Sequence, residues 1–397
     1  MKIKSFYEFV NESYKSSGEN LSDSKDFQKT LPKEIKDLAN LFEKHGHELM
    51  VVGGAVRDFL MGKEPKDYDL ATDAKPDEIE NILSKHYKTL DVGKQFGVIV
   101  AVIPNFPEGV EIATYREDVY SDNDKDSRNP SSIKYSTIEK DVRRRDLTLN
   151  ALFYDVGKNQ FVDLVGGKED IANKVVDTVG KAEERFEEDP LRKLRAIRFT
   201  AIMKGDLKDH VSRAIKKNNL LTDVSRERII EEFRKGIEKS KSTEYYLELL
   251  DEHGFLSQIF VGYETNKNFI ESNKWRIVMA ALLTDIDSEQ RLNILKKMKL
   301  SKQDFKSIDL LASLKHFDPK EIYSFKRALD KVNVSKSEVN EFVKKVGGNK
   351  NMIIKAFEYE LSIEPEKLIQ KGYEKQEIGK KLKELEYQNF LKYLKNK

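Results

Sequence analysis

The chain contains no cysteine. Disulfides and thiolate metal sites are thereby excluded, and a reducing compartment is permitted. No run of about 18 apolar residues occurs, which excludes a membrane-spanning helix and any membrane partner of that kind. The opening stretch, MKIKSFYEFVNESYKSSGEN, carries Glu8 and Glu12 and no apolar core. It does not read as a secretory signal, so the cytoplasm is the expected location. A surplus of one charge is also missing: 71 Lys and Arg against 69 Asp and Glu leave a net charge of +2. This excludes a simple polycationic coat for nucleic acid but leaves room for segregated basic surfaces. No fixed-period repeat is present, and the six histidines include no His-Asp doublet of the phosphohydrolase type.

What is there is long and highly charged. The 397 residues suffice for two or three domains, and 35% of them are charged, which points to solvated helices. Residues 1–31 read as an N-terminal extension, a possible short helix followed by a Ser- and Asp-rich linker. From Pro32 the pattern alternates: a helix over Pro32–Lys44, a strand over Glu48–Val52 and a helix over Ala55–Met61. A strand at Asp67–Ala71, a helix at Pro76–His86 and strands at Val98–Ile103 and Val110–Tyr115 follow. Residues 116–138 are polar and lack either period, so they are expected to form a long mobile loop, a kind that is usually functional or disordered. Beyond about residue 165 strands run out. Helical spacing dominates, as in Leu191–Met203, Ser225–Lys235, Thr243–His253, Trp275–Leu283, Ser288–Met298 and Glu377–Tyr393. The expected class is α+β, an alternating head followed by an all-helical remainder.

Four segments carry possible chemistry. In VVGGAVRD (Val51–Asp58) a strand ends in two glycines and opens into a helix, which lets backbone N–H groups approach a phosphate; Gly54 and Arg57 are the candidates. Taken alone, such a turn is more often a plain strand–helix connection. In KDYDLAT, Asp67 and Asp69 stand at i and i+2 of a strand and share a face. Two adjacent anions call for a cation between them, and hard oxygen ligands suit Mg²⁺. Glu111, on a strand expected to be buried, is the third acid; a salt bridge to an arginine is its plainer explanation. RRRDLTLNALFYD (Arg143–Asp155) puts three arginines before a helix, suited either to solvent or to bidentate phosphate contacts. In EEDPLRKLRAIRF, Asp189 is a natural N-cap and Pro190 a natural first helical residue. Arg192, Arg195 and Arg198 follow at three-residue spacing opposite an apolar side of Leu191, Leu194, Ile197 and Phe199.

Together with SRERIIEEFRK (Ser225–Lys235), these segments resemble the class II tRNA nucleotidyltransferase and bacterial poly(A) polymerase family, over about His47 to Lys235. The resemblance implies a polymerase-β-like nucleotidyltransferase head at 32–165 and a nucleotide-selecting neck at 166–236. It implies a helical body at 237–320 and a helical, tRNA-binding tail at 321–397. It implies template-independent addition of C, C and A to the 3′ end of tRNA from CTP and ATP, with pyrophosphate released. Asp67 and Asp69 match the family's Mg²⁺-binding pair and Glu111 its third acid. Gly54, Arg57 and Arg145 match triphosphate-side residues, and Asp189, Arg192, Arg195 and Arg198 match the nucleotide-selecting helix. A monomer or weak dimer is expected.

Poly(A) polymerases share these motifs, but VGKQFGVIV (Val92–Val100) leans toward the CCA-adding side. Partial enzymes that add only cytidines lack a full flexible loop, whereas Arg128-Asn129-Pro130 sits within a full-length one. An RNA-binding protein with an inactive head is the alternative from another class, opposed by the intact Asp67 and Asp69. The C-terminal stretch Lys380–Lys397 has six lysines against two glutamates. Leu382, Leu385, Tyr387, Phe390, Leu391 and Leu394 supply an expected inward face, leaving the lysines outward for RNA phosphates or for solvent alone.

Overall fold

The computed structural model describes residues 24–119, 132–265, 267 and 269–395. The chain divides into two compact units, residues 1–218 and 219–397. The division falls inside the 166–236 span expected to act as a neck.

The first unit is built on a seven-stranded sheet. Its strands are β1 (Leu49–Val52), β2 (Asp69–Thr72), β3 (Lys88–Gly93), β4 (Val98–Ile103), β5 (Phe106–Thr114), β8 (Leu152–Asp155) and β9 (Gln160–Asp163), in the order β3-β4-β5-β2-β1-β8-β9. Every neighbouring pair is antiparallel except β2 and β5. β1, with the sequence LMVV, is buried along its whole length, as a strand covered on both faces must be. The helices of this unit begin with α1 (Ser24–Thr30), α2 (Lys33–Lys44), α3 (Gly54–Leu60), α4 (Pro76–Leu83) and α5 (Ile138–Arg143). They continue with α6 (Gly167–Ala172), α7 (Ala182–Glu188), α8 (Leu191–Met203) and α9 (Asp209–Lys217).

Three expectations need correction. The segment 24–31 is no linker: α1 is helical, and Phe27 is fully buried. Its ring lies 4.5 Å from Phe59, 4.7 Å from Tyr154 and 5.6 Å from Phe161. Burying such a ring contributes roughly 1.5–3 kcal/mol, enough to dock a seven-residue helix that could not persist alone. Residues 1–23 lie outside the described residues. The segment 116–138 is no simple loop either. Its ends form an antiparallel ribbon, β6 (Arg116–Val119) with β7 (Ser132–Tyr135), and α5 begins at Ile138. Residues 120–131, with Arg128-Asn129-Pro130, lie outside the described residues. Strands also persist past residue 165, since Val175–Val176 pairs in parallel with Asp206–Leu207.

Among its described residues the second unit is helical. It comprises α10 (Arg226–Lys239), α11 (Thr243–Glu252), α12 (Phe255–Ile259), α13 (Trp275–Leu282), α14 (Ser288–Lys297) and α15 (Lys302–Ser313). After these come α16 (Ile322–Leu329), α17 (Lys336–Val346), α18 (Lys350–Glu358), α19 (Pro365–Gln370) and α20 (Lys375–Lys395). Gly236 lets α10 and α11 touch, for a Cβ there would meet the Tyr246 ring at 2.0 Å. On α20, Leu382, Glu386 and Phe390 are buried at helical spacing, while Lys380, Lys383, Lys392 and Lys395 are exposed. The inward row therefore includes an acid. Glu386 accepts from Tyr359 Oη at 2.6 Å and from the backbone N–H groups of Ser362 and Ile363 at 2.8 and 2.6 Å.

Candidate active site

The sheet register assembles the acids. Leu70 pairs with Ile112 across the parallel β2–β5 ladder, so Asp69 stands beside Glu111 one step earlier. The same cross-strand row runs through Val100 and Leu90 on one side and through Val52, Phe153 and Val162 on the other. Val52, Phe153 and Val162 are buried under a layer that includes Ile138 and Val142. Asp69 and Glu111 are exposed, where that cover ends. Glu111 is thus not interior as expected; Val110 and Ile112 beside it are. Asp67 is also exposed, and lies two residues ahead of Asp69, where β2 starts.

Asp69 is an exposed residue by area yet is crowded by protein. Burial pushes its carboxyl up, the charges of Glu111 and Asp67 push the same way, and Arg145 and Arg57 pull it down. The carboxylates gathered around Asp69 are hard oxygen donors of the kind a divalent cation takes. Among the described residues no three acidic or imidazole side chains come together as a metal-binding group. A divalent cation bound here would draw the rest of its ligands from water or substrate. Asp67, Asp69 and Glu111 are the residues that could hold it.

Two arginines flank the acids. Gly53 ends β1 with φ +68°, a conformation that suits glycine, and α3 starts at Gly54. Arg57, in the middle of the seven-residue α3, donates from Nε and Nη2 to Asp58 and from Nη1 to Asn150 Oδ1 at 2.7 Å. Arg145 donates to Asp141 Oδ2 from Nε and Nη2, at 3.1 and 2.9 Å, and lies 4.7 Å over the Phe153 ring in the row of Asp69. Arg144 pairs with the other oxygen of Asp141, and Arg143 is exposed. Burial pushes the Asp141 carboxyl up, but Arg145 and Arg144 outweigh it and hold it low. The arginine run is thus divided: one side chain is exposed, and two are fixed by a buried acid.

The third component is α8. Asp189 precedes it in extended conformation, and its Oδ1 accepts from Leu191 N at 3.1 Å. Arg192 donates to Glu188 Oε2 at 2.5 Å and to the carbonyl oxygens of Arg185 and Arg144 at 3.4 and 3.3 Å. Arg195 Nε donates to Asp146 Oδ2 at 2.5 Å. Burial pushes Asp146 up, but the charge and hydrogen bond of Arg195 prevail and hold it at about 2. The helix is not the half-solvated cylinder its spacing suggested. Lys193 and Arg198 are buried, at 2% and 6% exposure, and burial lowers the Lys193 ammonium to about 8.

The structure thus places Asp69 and Glu111 on one cross-strand row, with Asp67 just before it, Arg145 over Phe153 in the same row and Gly54 and Arg57 on the helix that follows β1, while Asp189, Arg192, Arg195 and Arg198 lie on the start and face of α8. Sequence reasoning missed Asp141, Asp146, Asn150 and Glu188, which hold the arginines. Glu188 stands four residues before Arg192 but across the break between two helices, so the spacing rule for a helical ion pair does not find it.

Residues 49–177 match the family described as Poly A polymerase head domain. Residues 206–265 match the one described as probable RNA and SrmB-binding site of polymerase A. The CCA-adding enzyme of Streptococcus sanguinis is 34% identical over 303 residues, 72% of each chain. The CCA-adding enzymes of Bacillus licheniformis and Bacillus subtilis are 38% and 37% identical over 235 and 251 residues, and the matched parts span 55% and 60% of those proteins. The crystal structure of Bacillus stearothermophilus CCA-adding enzyme in complex with CTP superposes with a TM-score of 0.68 at 24% identity, over 89% of this chain and 91% of that one. Thermotoga maritima CCA-adding enzyme complexed with tRNA gives 0.65 at 20% identity, over 93% and 94%. The structural matches establish the polymerase-β-like head and helical remainder. With the head match covering the acids and both flanking arginines, this chain belongs to the poly(A) polymerase and tRNA nucleotidyltransferase family, that of the CCA-adding enzymes.

Proposed function

We propose that this chain adds C, C and A to the 3′ end of tRNA from CTP and ATP. The observation that carries the reading is the meeting of Asp69 and Glu111 with Arg57 and Arg145, beside the Asp189–Arg192 helix start. In the reaction the RNA 3′-oxygen bonds to the α-phosphorus of the nucleotide and the bond to the β-phosphate bridging oxygen breaks. Pyrophosphate leaves, and the hydroxyl proton passes to solvent. Asp67, Asp69 and Glu111 would hold Mg²⁺, which when bound neutralises charge on the transferring phosphoryl group and favours the ionised hydroxyl. Arg57 and Arg145, fixed by Asp58, Asn150 and Asp141, bind and orient the triphosphate.

Base choice falls to Asp189 and Arg192. Cytosine and adenine present an amino donor beside a ring-nitrogen acceptor, which an Asp and an Arg complement. Guanine and uracil reverse both partners and bring donor against donor, a mismatch of several kcal/mol. Side chains acting as the template remove the need for a nucleic-acid one. The helical region 237–397 would carry the tRNA, with the exposed lysines of α20 on its phosphates, in a cytoplasmic monomer or weak dimer. The relatives called CCA-adding enzymes and the solved complexes with CTP, ATP and tRNA support this reading. Poly(A) addition is the second reading, favoured by the head-family description; VGKQFGVIV at Val92–Val100 favours the first.

The test supplies tRNAs lacking three, two or one 3′-terminal nucleotides with each nucleoside triphosphate separately. Products that stop at a completed CCA are expected. Long adenosine tails would establish the second reading instead.

A further inference from the structure

Three guanidinium groups converge on one buried phenyl ring. Phe199, on α8, is 3% exposed. The guanidinium carbon of Arg198 lies 4.2 Å from its ring centroid, that of Arg57 4.7 Å and that of Arg195 5.9 Å. All three fall within the roughly 6 Å over which a ring quadrupole attracts a cation. Arg195 and Arg198 come from α8 itself. Arg57 comes from α3, behind the glycine turn of the sheet, so the ring joins the two halves of the site.

Like charges gathered in this way repel. Burial lowers the Arg57 guanidinium from its ordinary value, Asp58 pulls it back up, and the charges of Arg198 and Arg195 lower it further. Asp58 and Asp146 already offset part of this charge at Arg57 and Arg195, and a further carboxylate among them would repel a phosphate. An aromatic face stabilises cations while carrying no net charge, so it can hold the group together and leave its field available to an anion. Asp58 and Asp146 each fix one of the three, and Asn150 fixes Arg57 at a second point.

We propose that Phe199 is a positioning residue of the nucleotide site, its ring gathering Arg57, Arg195 and Arg198 into one binding group for the triphosphate of the incoming nucleotide. The inference rests on the reading of this site as one for nucleoside triphosphates. It assigns Phe199 a task beyond filling the apolar side of the helix.

The test uses the full-length chain with F199L, F199M and F199Y. Leu and Met keep most of the volume and remove the quadrupole, whereas Tyr keeps the ring. Binding of inorganic tripolyphosphate is measured by calorimetry without tRNA, and steady-state constants are measured with CTP, ATP and a tRNA lacking its 3′ end. In F199L and F199M the tripolyphosphate Kd and the KM for CTP and ATP are expected to rise about tenfold, about 1.4 kcal/mol. Both kcat and the KM for tRNA should change less than about twofold, and F199Y should stay close to wild type. If F199L loses its thermal transition, F199M carries the comparison. Tripolyphosphate binding by F199L or F199M as tight as wild type overturns the proposal, as does a loss in F199Y equal to theirs. A wild-type chain that binds no tripolyphosphate overturns the nucleotide reading beneath it.

Discussion

Arg192 is held by Glu188, four residues earlier and across the break between α7 and α8. The carboxylate that orients the guanidinium is therefore the immediate neighbour of Asp189. Backbone carbonyls of Arg185 and Arg144 accept from the same group. On the proposed reading, the base-reading pair is preset before a nucleotide arrives, which limits the ordering cost of binding.

Glu188→Gln tests this. Gln keeps the length and an acceptor but removes the charge, which roughly halves the strength of such a hydrogen bond. Incorporation of CTP and ATP is expected to fall about three- to tenfold and misincorporation of UTP and GTP to rise, with little change in Tm. Single-nucleotide extension assays read both. Unchanged selectivity would detach Glu188 from base choice.

Asp69 carries the second prediction. Its carboxyl is raised by burial, then by Glu111 and Asp67. The folded state therefore holds this proton more tightly than the unfolded chain does. Stability is lost as pH rises from the ordinary carboxylate range through the raised value, and the deficit persists at neutral pH. Asp69→Asn removes the repulsion, so without metal the variant should melt slightly higher than wild type, on the order of 1–2 °C because solvent screens an exposed residue. Millimolar Mg²⁺ should raise the Tm of wild type and leave that of the variant nearly unchanged. Nucleotide addition should fall by at least about a hundredfold. Thermal melts with and without Mg²⁺, beside an extension assay, separate the outcomes.

Much of this was legible in the sequence, for reasons that particular residues make plain. Leu49–Val52, the glycine turn and Leu191–Met203 combine a strong period with end signals, and each lies within a residue or two of its expected position. The ribbon of Arg116–Val119 with Ser132–Tyr135 was not legible, because neither strand alternates and the pairing is long-range. Phe27 was hidden in a polar segment, where one aromatic in seven residues gives no period; only Phe59, Tyr154 and Phe161 explain it. The charged residues Asp67, Asp69, Arg145 and Arg192 could be picked out by type and spacing. Their holders could not, since Asn150 reaches Arg57 across 93 positions and Asp146 reaches Arg195 across 49.

The Asp146–Arg195 pair should make acid stability measurable at one residue. Asp146 is held at about 2, against an ordinary 3.8, because Arg195 overcomes the cost of burial. A carboxyl depressed in this way contributes its full stability above about pH 4, and the contribution fades as pH falls toward 2. The shift corresponds to about 2 kcal/mol at neutral pH. Asp146→Asn should lower stability by about that amount at pH 7, and the gap to wild type should close between about pH 4 and pH 2. Urea unfolding across that range measures it. A gap independent of pH would mean that the carboxylate contributes by packing alone.

Asp189 separates a template from a helix cap. Its Oδ1 accepts from Leu191 N, and the amide oxygen of Asn can accept in the same way. Asp189→Asn should therefore melt within about a degree of wild type. As a reader of the base edge, Asp189 needs its charge, which strengthens acceptance from the exocyclic amino group of cytosine or adenine. Asn also carries an NH₂ donor that can turn toward the base and present a face suited to guanine or uracil. CTP and ATP incorporation should fall at least about tenfold, equivalent to about 1.4 kcal/mol, while discrimination against UTP and GTP relaxes. Arg192→Ala should relax the same discrimination and slow the correct reaction, because the ring nitrogen loses its donor. If Asp189→Asn is as stable and as selective as wild type, Asp189 is a helix cap only and not a reader of the base.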